Sequence, residues 1–206
     1  MNSFYPYPVD RKPLKPSSYA KLKDVVTKFN SIHKMFDYRH RYGFVVITNE
    51  LINSLARVLQ SHSVLDVGSG TGYLTYRLAQ KGINIEACDI DKTGDTYSFN
   101  KIWQLDHNKC ATEIMHNYSA VILSWPPYDE SMALTIAEHV TTQLFIYQGE
   151  WLGGCTADDA FFDYLTNNFD EQPSLTKLLN EYHLQFMGVH DHWSVYRRKR
   201  VPRRIK

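Results

Sequence analysis

Residues 64–75 read Val-Leu-Asp-Val-Gly-Ser-Gly-Thr-Gly-Tyr-Leu-Thr. Val64 to Val67 reads as a buried strand, and Leu74, Leu78 and Ala79 recur beyond it at helical spacing. Between them lie Gly68, Gly70 and Gly72. A second strand, Ile83 to Cys88, ends on Asp89. Strand, glycine loop, helix and strand make one half of a doubly wound unit, which opens a ligand crevice at the carboxyl ends of its strands. Glycines let the backbone turn tightly and approach a ligand. The start of the helix exposes N–H groups without intrahelical partners. A carboxylate closing the second strand is placed to accept from both hydroxyls of a ribose.

The spacing of the glycines narrows the choice of nucleotide. A dinucleotide fingerprint, G-x-G-x-x-G, requires a third glycine where this chain has Tyr73, and no G-x-x-x-x-G-K-[ST] phosphate loop occurs. With Asp66 two residues ahead of Gly68, the pattern is Asp-x-Gly-x-Gly-x-Gly. It resembles motif I of the class I S-adenosylmethionine-dependent methyltransferases. The resemblance implies that Gly68 and Gly70 line the methionine part of S-adenosylmethionine. Asp66 would help hold its ammonium group and Asp89 its ribose. Ser69, Tyr73 and Ile90 are the adjoining cofactor contacts it suggests. Tyr42, just ahead of the first strand with Phe44, is a lid candidate, and Trp103 or Asp106 a candidate for meeting the adenine.

At 206 residues the chain is sized for one domain. No run approaches the ~18 apolar residues of a membrane span. Cys88, Cys110 and Cys155 are far apart and odd in number. They match a reducing compartment and no metal-ligand spacing, so a cytoplasmic enzyme without a metal is expected. The charge is uneven. Residues 1–41 hold nine Lys/Arg against three Asp/Glu, residues 42–196 seven against nineteen, and residues 197–206 seven against none. An acidic body between basic ends means either ends that fold onto it or arms for an anionic partner such as nucleic acid.

Four prolines among residues 1–16 predict an irregular arm. A domain over 17–198 and a basic tail over 199–206 follow. Leu22, Val25, Val26, Phe29, Ile32 and Phe36 recur as one helical stripe, with Tyr38 to Ile47 as a connector. Thr48 is placed to cap a second helix bearing Leu51, Ile52, Leu55, Val58 and Leu59. Further strands are expected at Ile102–Leu105, Ala120–Ser124 and Gln143–Tyr147, and helices over 111–118, 129–141, around Phe161 to Phe169 and around Leu175 to Leu179. Leu184–Val189 and Trp193–Arg197 read as a final antiparallel pair turning at His190-Asp191-His192. The order is that of the methyltransferase fold: α/β, Rossmann-like, with a mostly parallel seven-stranded sheet, a C-terminal antiparallel hairpin and extra N-terminal helices.

The fourth strand runs into Leu123-Ser124-Trp125-Pro126-Pro127-Tyr128-Asp129. This stretch resembles the (Asp/Asn/Ser)-Pro-Pro-(Tyr/Phe/Trp) motif of amino-methyltransferases. There the polar side chain and the first proline carbonyl accept hydrogen bonds from the target amine, and the aromatic residue stacks on a planar substrate. Ser124, Pro126 and Tyr128 would take those roles here, Ser124 bordering the cofactor as well. Trp125 departs from the pattern: it stands between Ser124 and the prolines, and its indole is a donor only. With the glycine-rich stretch 147–162 and His190-Asp191, the chain resembles a poorly characterised Trp-Pro-Pro subgroup over roughly residues 38–198. Methyl transfer from a sulfonium needs a base only for a protonated acceptor; Glu150, Asp129 and His190 are the candidates. The implied function is methylation of a nitrogen or oxygen on a small molecule or protein side chain. The alternatives are a nucleic-acid methyltransferase using the basic termini and a non-catalytic S-adenosylmethionine-binding scaffold.

Overall fold

A computed structural model describes residues 13–28, 31–90, 102–128, 130–141, 143–152 and 154–200. The elements in chain order are α1 (Tyr19–Val26), α2 (Ile32–Tyr42), α3 (Asn49–Leu59), β1 (Ser63–Val67), α4 (Tyr73–Ala79), β2 (Asn84–Asp89) and β3 (Ile102–Gln104). Then come α5 (His107–Lys109), which continues through a π turn (Cys110–Ile114) and a 3-10 turn (Met115–Asn117), β4 (Ala120–Ser124), α6 (Met132–His139) and β5 (Leu144–Gly149). The chain finishes with α7 (Asp159–Asn168), β6 (Phe169–Glu171), α8 (Pro173–Asn180) and β7 (His192–Arg198). No helix of the described residues is long and apolar enough to cross a membrane.

The strands form a seven-stranded sheet in the order β3-β2-β1-β4-β5-β7-β6, parallel except that β7 runs antiparallel to both β5 and β6. Its central strands are apolar runs because both faces are covered. Successive residues go to opposite faces. Leu65, Val67, Val121, Leu123, Phe145 and Tyr147 pack with α6, α7 and the turns after α5. Val64, Ile122, Leu144, Ile146, Trp193 and Val195 pack with α3, α4 and α8. The chain order reverses between β1 and β4, and that switch point sets where a ligand crevice can open.

Side-chain caps place several of the helices. Thr48 Oγ1 accepts from Leu51 N at 2.9 Å, Asp106 Oδ1 from Lys109 N at 3.0 Å and Asp158 Oδ1 from Phe161 N at 2.9 Å. The N-terminal region differs from the single stripe expected. Two helices, α1 and α2, stand where one was read, so three precede β1. α2 extends through the segment read as a connector as far as Tyr42. Met35 and Tyr38 are its buried residues, whereas Ile32 and Phe36, counted in the stripe, are 49% and 62% exposed. The Tyr38 hydroxyl accepts from Ile47 N at 2.8 Å, and burial raises its pKa.

A C-terminal antiparallel pair is present, but its first member is β6, not Leu184–Val189. Leu184 and Phe186 are buried against Leu22, Val26 and Tyr38, and Met187 N donates to Val26 O at 3.0 Å. Alternation with period two records burial of every second residue; here helices rather than a strand provide the cover. Phe169, read as the last turn of α7, opens β6 instead.

The basic C-terminal stretch begins inside the fold. Arg198 Nη1 donates to the carbonyls of Ala137, Glu138 and Val140, and Nη2 to Tyr164 Oη at 2.7 Å. Its guanidinium also lies 5.5 Å from the Tyr164 ring centre and 5.4 Å from that of Phe169. Lys199 Nζ donates to the carbonyls of Thr166 and Asn167. Both cations therefore satisfy carbonyls at helix C-termini, where the dipole favours positive charge. The arm at 1–12 and tail positions 201–206 lie outside the described residues. Replacing Arg198 by Ala leaves buried carbonyls without donors, a cost of about 2 kcal/mol. The expected result is a melting temperature lowered by about 4–8 °C, while Arg200→Ala, at an exposed position, leaves it within about a degree; scanning calorimetry of the two variants measures both.

Candidate functional site

The site forms where β1 ends. The Cys88 carbonyl accepts from both Gly68 N (2.8 Å) and Ser69 N (3.2 Å), which turns the chain sharply off the strand. Gly68 and Gly70 have φ of 67° and 56°, a left-handed conformation that side chains disfavour. A Cβ on Gly68 would meet Met132 Cε at 2.5 Å, whereas one on Gly70 would enter open space. Gly70 N in turn donates to Asp89 Oδ2 at 2.7 Å. Loop and second-strand carboxylate are thus locked to one another beside room for a ligand.

Two cavities meet at this point. The larger, about 300 Å³, lies at the carboxyl ends of β2, β1 and β4. Gly68, Asp89, Ile90, Asp106, Trp125 and Pro126 are among its lining. The smaller, about 60 Å³, is bordered by Tyr42, Phe44, Asp66, Ser69 and Gly70. Gly68, Ser124 and Trp125 border both. Asp66 is 1% exposed, and its Oδ2 accepts from Thr75 Oγ1 at 2.5 Å. Burial pushes its pKa up to about 7; the Thr75 hydrogen bond opposes this and Asp89 adds to it. The ligand-free site thus holds a carboxyl that ionises near neutrality, placed where a cationic group would favour its charged form.

Twelve of the sequence-derived site residues come together around the two cavities: Tyr42, Phe44, Asp66, Gly68, Ser69, Gly70, Asp89, Ile90, Asp106, Ser124, Trp125 and Pro126. Four others do not border them. The Trp103 indole donates to Glu86 Oε2 at 2.7 Å and lies 3.1 Å from Tyr118 Oη, which ties β3 to β2. Tyr73 packs its ring 4.8 Å from that of Tyr42, behind the cavity wall. Tyr128 is 47% exposed on the loop after β4. Glu150 is buried with both oxygens engaged: Oε1 accepts from His190 N at 2.9 Å and Oε2 from Cys155 N at 2.7 Å. Burial pushes its pKa up, but the His190 and Cys155 hydrogen bonds outweigh that and hold it below the usual carboxylate value. Glu150 thereby pins the loop after β5 to the turn before β7. Asp129, another candidate base, lies outside the described residues. Among the described residues no three His, Cys, Asp or Glu side chains are grouped as a metal site.

The strand exit at 124–128 is internally satisfied. Ser124 Oγ donates to Gln148 Oε1 at 3.0 Å. Trp125 Nε1 donates to Asp191 Oδ2 at 3.1 Å, and Gln148 Nε2 donates to the same oxygen. The Pro126 carbonyl accepts from Ala157 N at 3.3 Å, and Pro127 bridges Thr156 in antiparallel fashion. Trp125 itself holds φ 51°, rare for a bulky side chain and maintained here by that network and by its N–H to Gln148 O at 2.8 Å. Its ring stacks on Phe44 with centroids 5.1 Å apart and planes 23° apart. The sequence reading named Gln148 and Asp191 only within resembling stretches and gave them no role, and it gave Arg39, which lies beside the Phe44 and Trp125 rings, none. The available hints were a polar residue ending an apolar strand and an indole N–H that needs an acceptor once buried.

No protein-family model and no curated protein matches the chain. Solved structures do. The magnesium protoporphyrin IX methyltransferase ChlM from Synechocystis PCC 6803, with bound S-adenosylmethionine, is 16% identical over 88% of this chain and 97% of its own, with a TM-score of 0.50. Human N-acetylserotonin methyltransferase in complex with S-adenosylmethionine is 11% identical over 90% of this chain and 63% of its own, with a TM-score of 0.51. The pyocyanin biosynthetic protein PhzM is 13% identical over 88% and 62%, with a TM-score of 0.52. At these identities the likeness is one of fold: the chain carries the Rossmann-like sheet-and-helix architecture of these proteins.

Proposed function

We propose that the chain binds S-adenosylmethionine across the mouth of the sheet and transfers its methyl group to a nitrogen or oxygen of a small molecule or protein side chain. The observation that carries this reading is the pinned glycine loop. Asp89 holds Gly70 N, Gly70 faces open space, and the loop borders a cavity of about 300 Å³. The binding of S-adenosylmethionine by ChlM and by N-acetylserotonin methyltransferase, which share the fold, supports it.

In this reading Gly68, Ser69 and Gly70 take the amino-acid end, Asp66 its ammonium group, Asp89 the ribose, and Ile90 with Asp106 the base. The cofactor supplies an activated methyl group on a sulfonium. The chain has to position the acceptor and exclude water. Trp125, stacked on Phe44 and fixed by Asp191, provides a rigid dry wall for that purpose. Ser124 Oγ gives its proton to Gln148 and keeps its lone pairs to accept, while the Pro126 carbonyl already takes one hydrogen bond, from Ala157 N.

A ligand at about 100 times its Kd adds roughly 2.7 kcal/mol to stability. S-adenosylhomocysteine at that excess is therefore expected to raise the melting temperature by about 5 °C or more, with no response to NAD. Asp89→Ala and Gly70→Val are expected to abolish the shift; a full shift in Asp89→Ala refutes the ribose assignment.

The Asp66 carboxyl provides a test that depends on pH. Its pKa stands near 7 in the folded protein against an ordinary 3.8. The folded state thus keeps a proton that the unfolded chain has released, and stability falls as pH rises from about 4 to about 7. Asp66→Asn, which never ionises, is expected to make the ligand-free protein more stable above pH 7. An ammonium group favours the ionised form, so the Kd for S-adenosylhomocysteine is expected to rise as pH drops below 7, by up to about tenfold per unit. Calorimetric titrations between pH 5.5 and 8 measure this; a flat profile in the native protein removes Asp66 from the ammonium.

A further inference from the structure

Arg39 packs against two of the rings that wall this site. It lies in the last turn of α2, just before Gly43 carries the chain into Phe44 and Val45. Its guanidinium carbon is 4.9 Å from the centre of the Phe44 ring and 5.0 Å from that of Trp125, two rings that border the smaller cavity. Its Nε is buried without a hydrogen-bond partner. No carboxylate of the described residues lies within ion-pair distance of it. A half-buried guanidinium set beside aromatic rings still carries N–H groups that need acceptors, and an unmet donor is costly.

The acids nearest Arg39 do not supply those acceptors. Burial lowers the Arg39 pKa, and the charges of Asp191 and Glu150 oppose the fall. Their oxygens, however, are occupied. Asp191 Oδ2 accepts from Trp125 and Gln148, and Oδ1 lies 3.1 Å from His183 Nε2. Glu150 is spent on His190 and Cys155. The Phe44 and Trp125 rings beside it carry no hydrogen-bond acceptor of their own.

We propose that Arg39 determines acceptor specificity and that the acceptor is a planar small molecule bearing a carboxylate, its flat part along the Phe44–Trp125 wall and its carboxylate on the guanidinium edge. The inference rests on the methyl-transfer reading, since it names the acceptor class for the same site. Planarity follows from the aromatic wall, and the anionic group from the unmatched donors, whose fork fits a carboxylate in bidentate fashion. A singly charged carboxylate is favoured over a doubly charged phosphate because Asp66, Asp89, Asp106 and Glu130 line the adjoining cavities.

The test uses the full chain saturated with S-adenosylhomocysteine. The probes are 2-naphthoate, the uncharged 2-naphthamide and 2-naphthyl phosphate, with binding read by saturation-transfer NMR titration. Naphthoate is expected to bind about tenfold or more tighter than naphthamide, and tighter than the phosphate. Arg39→Gln is expected to erase the preference for naphthoate, Arg39→Lys to keep part of it, and Arg57→Gln, on the exposed side of α3, to keep it all. Arg39→Gln is also expected to retain the thermal response to S-adenosylhomocysteine, which shows that the fold and the cofactor site survive. Naphthoate that fails to bind, binds no tighter than the amide, or keeps its advantage in Arg39→Gln overturns the inference; so does tighter binding of the phosphate. An intact thermal response alongside any of these leaves the cofactor reading standing. A native protein with no thermal response removes the reading beneath.

Discussion

One carbonyl organises the mouth of this protein. Cys88 O, at the end of β2, accepts from two successive N–H groups of the loop that leaves β1. That pair of hydrogen bonds accompanies a left-handed turn that glycine adopts without strain. It brings Gly70 N onto Asp89 and leaves the Asp66 carboxyl facing inward from the neighbouring strand. Parallel pairing of β1 with both β2 and β4 aligns the three strand ends, so the glycine loop, Asp89 and Ser124 arrive at one level. Without that alignment the same residues would share no cavity.

A second constraint works from the opposite side of the crevice. The loop after β4 is stitched to the loop after β5 through Pro126 with Ala157 and Pro127 with Thr156, and to β5 and the start of β7 through Gln148 and Asp191. Trp125 sits at the crossing, in a backbone conformation it would not hold alone. Hydrogen bonds in a buried network of this kind reinforce one another. Here Asp191 meets Trp125, Gln148 and His183, while Glu150 joins the flanking loop to His190. Ser124 and Pro126 are held by Gln148 and Ala157 while still bordering the cavity, and Arg39 lies beside the Phe44 and Trp125 rings that flank them.

The two basic ends are resolved differently by the fold. Arg198 and Lys199, counted as part of a cationic tail, close the C-termini of α6 and α7. Arg39, counted among the basic residues of the N-terminal segment, lies beside the Phe44 and Trp125 rings. Net charge along a sequence therefore carried less information than the position of each cation, because a helix terminus and an aromatic face both attract positive charge for local reasons.

The sequence by itself determined the doubly wound core, the glycine loop with Asp66 and Asp89, and the strand that delivers Ser124 and Trp125. These are local properties: apolar runs, turn residues and their spacing express themselves within a few residues of chain. It did not determine which side chains would oppose them. Leu184 to Val189 alternates like a strand, yet it packs on α1 and α2, because alternation states burial and not the partner. Trp103 and Glu150 carried suitable chemistry in suitable places, but Glu86 and Tyr118 claim the first, and two backbone N–H groups claim the second. Arg39, Gln148 and Asp191 come from segments far apart in the chain. Only tertiary packing brings them to Trp125, since hydrogen bonds and ring stacking depend on a few ångströms in space and not on distance along the sequence.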